Sequence, residues 1–102
     1  MLIYNTTYLV SDRQFGPWLK WMNEEHIPFM LKTGYFTKPQ VAKVLNADNE
    51  QEGTSVSVQF FIRDLYTLEL WDEVNAEKLQ DELSLRFGTG VLAFSTILEV
   101  ME

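Results

Sequence analysis

Residues 54–63 read TSVSVQFFIR, and their alternation decides how the rest of the chain must be arranged. In an extended chain Val56, Val58, Phe60 and Ile62 fall on one side, and Ser55, Ser57, Gln59 and Phe61 on the other. A strand patterned in this way belongs to an antiparallel sheet with one face against a core. Upstream, 48–53 (DNEQEG) is a polar turn, and Gln40 to Ala47 reads as a second strand, with Pro39 tolerated at its start or on a sheet edge. Downstream, Asp64 to Phe87 is helical, with Leu68, Trp71, Leu79, Leu83 and Phe87 on one stripe. Asn75 falls on that stripe as the N-cap of a break into two helices, and Gly88 is the stop.

The two ends complete the pattern. Residues 2–10 and Val91 to Met101 are rich in β-branched and aromatic side chains and read as strands. Ser11-Asp12 is an N-cap pair, and from Phe15 the apolar positions 15, 18, 19, 22, 26, 29 and 30 form a helical stripe that counts His26. Pro28 predicts a kink or restart near Ile27-Pro28, and Gly34 suits the position just past the helix end. The order β-α-β-β-α-β predicts an α+β ferredoxin-like plait, a four-stranded antiparallel sheet with two helices on one face, forming a single domain over residues 1–102.

Both faces of that sheet are apolar. Leu2, Tyr4, Tyr8 and Val10 of the first strand oppose Ile3, Asn5, Thr7 and Leu9; in the last strand Leu92, Phe94, Leu98 and Val100 oppose Val91, Ala93, Ser95 and Ile97. A face left without helices should be polar, so a homodimer through the sheet is expected.

Composition narrows the partners. Fifteen acidic against eight basic residues give a formal charge of −7, and the basic residues are scattered. That field repels a phosphate backbone and an anionic membrane, so neither nucleic acid nor membrane is an expected partner. There is no cysteine, which removes disulfides and thiolate chemistry. The first residues show no signal-peptide pattern, and no apolar run reaches the roughly 20 residues of a bilayer span, so a cytoplasmic location is expected. Gly88-Thr89-Gly90 is a helix stop rather than a phosphate loop, and the acidic residues at 72, 73, 77, 81 and 82 read as the solvated face of the second helix.

His26 is the sole histidine. Four residues after Met22 and eight after Trp18, its ring should point toward the sheet or the groove beside it. It is the candidate catalytic group, a general base at that groove, with Met22 and Trp18 as substrate-binding lining. Glu25 points about 100° away on a helix and is no orienting partner. The alternative role is a neutral imidazole whose N–H caps a carbonyl freed at the kink. Asn5, interrupting an apolar strand, is a second substrate-binding candidate; its alternative is a sheet amide paired with Gln59 or Ser95. Trp21 lies off the stripe and is the tryptophan expected to reach an interface. One histidine without cysteine is too few ligands for a metal site, and no cofactor is expected.

Ile3-Tyr4-Asn5, Trp18 and Trp21 leading into Glu25-His26-Ile27-Pro28, Thr33-Gly34, Arg86-Phe87-Gly88 and Phe94-Ser95-Thr96 together resemble a small bacterial family of domains of unknown function. More broadly the chain resembles the dimeric α/β barrel superfamily, which includes antibiotic-biosynthesis monooxygenases, haem-degrading monooxygenases and a family linked to ether degradation. Trp21, His26 and Pro28 are similar to a Trp, His and Pro that close the first helix in that last family. Asn5 resembles, by position, an asparagine that faces the cofactor in the haem-degrading group, although no second histidine is present to ligate haem. The resemblance implies a dimeric barrel. One functional reading is a barrel that binds a small apolar molecule between helices and sheet, with His26 and Asn5 as its polar groups; a cofactor-free enzyme would suit one base in such an apolar pocket. A non-enzymatic dimeric module, with His26 structural, is the other reading.

Overall fold

The fold is seen in a computed structural model that describes residues 1–45 and 52–101. Four strands, β1 (Leu2–Val10), β2 (Phe36–Lys43), β3 (Thr54–Ile62) and β4 (Val91–Glu99), form one sheet in the order β2-β3-β1-β4, antiparallel throughout. The first helical region is α1 (Phe15–Trp21), one π-helical turn (Met22–His26) and α2 (Ile27–Lys32); the second is α3 (Leu65–Phe87). This is the α+β ferredoxin-like arrangement.

Val56, Val58, Phe60 and Ile62 are all buried, so the alternation that predicts β3 also fixes which face carries the core. Pairing places Tyr4, Tyr8 and Val10 on that same face, with Val91 and Ala93 beside them. Helical residues Trp18, Met22, Met30, Leu68, Trp71, Leu83 and Phe87 close the core from above. The opposite face carries Ile3, Asn5, Thr7 and Leu9 of β1 with Leu92, Phe94, Thr96 and Leu98 of β4.

Several elements differ from expectation, each for a local reason. β2 begins at Phe36 rather than Gln40, because the ladder shifts between Thr37 and Gln40, with Lys38 at φ 52° and Pro39 inside the irregularity. The strand therefore continues through a proline on the sheet edge, where a missing donor does least harm. Asn46 and Ala47 of the expected strand, and the turn positions 48–51, lie outside the described residues. α3 does not break at Asn75; its side-chain amide donates to the Trp71 carbonyl at 3.0 Å, within a continuous helix. Asp64 caps α3 instead, accepting from the Thr67 N–H at 2.8 Å. Ser11-Asp12 caps nothing: the Ser11 carbonyl accepts from the Gln14 N–H in a turn, and α1 starts at Phe15 without a side-chain cap. Val100 and Met101 fall beyond β4.

Gly53, entering β3 at φ 109°, has its missing Cβ position 2.5 Å from the Val10 carbonyl oxygen. A side chain there would have to move backbone, and the left-handed conformation adds strain. Gly53→Ala is expected to lower the unfolding free energy by roughly 1–3 kcal/mol. Urea denaturation checks this, and an unchanged midpoint would mean that the β1–β3 junction yields freely.

Candidate functional site

The site grows from the π-helical turn. Pro28 has no N–H, and its ring cannot sit one turn beyond a normally placed carbonyl. The chain opens the preceding turn by one residue, so the Ile27 N–H bonds to the Met22 carbonyl, and Pro28 sits in the first turn of α2. Residues five apart are about 140° apart around a regular α-helix but come onto one side across a π turn. Trp21 and His26 are five apart and stack, with centroids 5.0 Å apart and rings 24° from parallel. This corrects the expectation for Trp21, which is buried rather than at an interface.

Trp21 Nε1 donates to Glu82 Oε1 at 2.9 Å, tying the stack to α3. Arg86 reaches both Glu25, at 2.9 Å, and Glu82, at 3.4 Å, which latches the outer surface of the two helices together. Glu25 therefore faces Arg86 and takes no part in orienting the imidazole.

Between α3 and the sheet lies an open groove of about 400 Å3. Its lining includes Trp21, Trp71, Tyr4, Tyr8 and His26. Its floor carries a run of hydroxyls: Ser95 Oγ donates to Tyr4 Oη at 3.2 Å and lies 2.9 Å from Thr6 Oγ1. The groove exists because the inward positions of α3 between Trp71 and Leu83 include the small Ala76 and the half-buried Leu79. His26 and Leu79 also border a smaller cleft of about 310 Å3 on the outer side, with Glu25, Lys78 and Glu82. The imidazole thus stands in the wall between two recesses.

Burial sets its charge. His26 is 8% exposed, and its Nδ1 has no hydrogen-bond partner. Desolvation lowers its pKa from 6.5 to about 4, against a smaller opposing pull from the Glu82 carboxylate. At neutral pH the ring is uncharged. It caps no helix end, so the structural role in which its N–H satisfies a kink carbonyl has no bond to support it. Tyr8 is likewise held protonated, its pKa raised by burial and, secondarily, by Tyr4.

The other expected site residues separate. Trp18 and Met22 are fully buried in the core and do not border the groove; Trp18 packs on Tyr8 at 5.2 Å between centroids. Asn5 lies on the opposite face of the sheet. Its amide donates to Thr7 Oγ1 and Thr96 Oγ1, both at 3.2 Å, and its carbonyl oxygen accepts from Ser57 Oγ. Neither Gln59 nor Ser95, the expected partners, bonds to it, and the sheet stands between Asn5 and His26. Trp71, on the inward stripe of α3, is buried in the core and borders the groove as well. Tyr4 and the Thr6–Ser95 hydroxyls are site residues that sequence reasoning missed. The signal for them was positional: Tyr4, Thr6, Tyr8 and Ser95 share a face once the register is known.

Among the described residues no three His, Cys, Asp or Glu side chains converge to hold a metal, and no helix is long and apolar enough to cross a membrane.

A family model described as a domain of unknown function (DUF4286) matches residues 1–101, and the chain belongs to that family. No curated protein matches it. Two solved structures are similar along nearly the whole chain. One is an ethyl tert-butyl ether (EthD) family protein from Bacillus halodurans C-125, with 13% identity and a TM-score of 0.68 over 99% of this chain and all of that one. The other is a dimeric ferredoxin-like protein from an uncultured marine organism, with 18% identity and a TM-score of 0.65 over 99% of this chain and 95% of that one. At such identities the likeness establishes the fold.

Proposed function

We propose that this DUF4286 domain binds a small, largely apolar molecule in the groove between α3 and the sheet, with the neutral His26 as its buried polar contact. The observation that carries the reading is the groove itself: about 400 Å3, lined by four aromatic residues and bordered by a buried imidazole. Pockets of this size and character are where small ligands bind. The EthD-family neighbour shares the fold that frames the groove. With a pKa of about 4, His26 is a weak base at neutral pH, so its role is to hold a ligand polar group rather than to abstract a proton.

The test uses a neutral fluorophore, N-phenyl-1-naphthylamine, whose emission rises in apolar surroundings. Saturable binding at one site per chain is expected, with Kd in roughly the micromolar to submillimolar range for a ligand of that size. Ala76→Phe, which fills the groove from α3, should abolish it while the protein stays folded. Equal binding by that variant would place the probe elsewhere and remove the assignment.

The face of the sheet without helices supports a second part of the reading, a homodimer through that face. Leu92, Phe94 and Leu98 are 60%, 64% and 42% exposed there, beside the apolar Ile3 and Leu9. A contiguous apolar surface of this kind marks an association site, and a dimeric relative has the same fold. Sedimentation equilibrium should give twice the chain mass, and Phe94→Glu with Leu98→Glu should give the monomer. A wild-type monomer at micromolar concentration would overturn this part.

A further inference from the structure

The chemical character of the groove lining goes further than its size. Two carboxylates, Glu69 and Asp72, stand three residues apart on α3 and border the groove at the solvent side, and among the described residues no lysine or arginine lines it. Neither carboxylate is in an ion pair among the described residues. Tyr4, Tyr8, Trp21 and Trp71 are aromatic lining residues, and aromatic rings attract cations. His26, which also borders the groove, is more than nine-tenths buried, and its Nδ1 has no partner. A neutral imidazole brings no positive charge to meet an anion.

From these features we infer that the groove selects an apolar amine, an aromatic or alkyl body carrying a single protonated nitrogen, over a carboxylic acid of the same size. The inference rests on the groove being the binding site. A carboxylate entering it would give up water and, among the described residues, find no cation in the lining. An ammonium group gains the rim carboxylates on entry and the aromatic lining within. The net charge of −7 adds to the same preference at a distance.

The experiment is calorimetric titration with three ligands that share one ring system: 1-naphthylmethanol, 1-naphthylmethylamine and 1-naphthylacetate. The amine is expected to bind about tenfold or more tightly than the carboxylate, with the alcohol between them. In a Glu69→Gln/Asp72→Asn variant the ratio of amine to carboxylate affinity should fall toward one. If the alcohol binds but the amine is no tighter than the carboxylate, the charge selectivity is refuted and the groove stands. A ratio that survives in the double variant would remove the assignment to Glu69 and Asp72. If none of the three binds, the groove reading itself fails, and this inference falls with it.

Discussion

Trp18→Ala is expected to lower the unfolding free energy by roughly 3–5 kcal/mol, the largest effect of any single truncation considered for this chain. Trp18 is fully buried, packed on Tyr8 and, at 6.1 Å between centroids, on Phe15. Removing its ring deletes contacts on every side and leaves a void too deep in the core to collapse. For a domain of this size that loss lowers Tm by roughly 12 °C or more. Trp18→Phe separates volume from polarity. Trp18 Nε1 is buried without a partner, so Phe also removes an unsatisfied donor and should cost clearly less than Ala. Urea denaturation at one fixed protein concentration measures both, because a dimer's apparent stability depends on concentration. A Trp18→Ala cost below about 1 kcal/mol would return Trp18 to the lining of a pocket, where truncation opens space already present.

That outcome bears on what the sequence could convey. Periodicity identified Trp18, Met22, His26 and Met30 as inward-facing, and all four are buried. It could not say what lies inward, so Trp18 and Met22, at the core, read like His26, at the groove. β3 was legible because its alternation is uninterrupted. β2 was legible only in part, since Lys38 and Pro39 interrupt its register and hide Phe36, which is 1% exposed. Trp21 was misplaced because a stripe drawn at about 3.6 residues per turn loses phase across a π turn. Asn5 was conspicuous as an amide in an apolar strand, but both faces of β1 are apolar. Nothing in the residues therefore said which face the helices cover, or that Asn5 and His26 would lie on opposite sides. The groove had no signature at all: it is made by the modest bulk of Ala76 and Leu79, on a stretch of helix whose other positions, Val74 apart, are polar.

Acid should reveal His26 in the same protein. In the unfolded chain the imidazole takes its proton near 6.5; in the folded protein it resists until about pH 4. Between those values the unfolded state binds more protons than the native state, so stability falls as pH falls, with the full difference in place below about 4. A gap of that size corresponds to about 3 kcal/mol lost between pH 7 and pH 4, with a slope approaching 1.4 kcal/mol per pH unit in the middle of the window. Asp64 acts in a different window. The Thr67 N–H is the main group holding its carboxyl below the ordinary value, so its contribution is present above that value and lost only as pH falls through the lowered one. His26→Phe keeps a ring on Trp21 but cannot titrate, and its stability should be nearly flat from pH 6.5 to 4 where the wild type declines. Glu82→Gln removes the carboxylate that favours the imidazolium, and should move the His26 midpoint lower still. The ring proton of the sole histidine, followed by NMR, reads that midpoint directly. A midpoint near 6.5, or parallel stability curves for wild type and His26→Phe, would mean that the imidazole is solvated. The partnerless nitrogen would then be bonded to water, and the polar contact proposed for a ligand would already be satisfied.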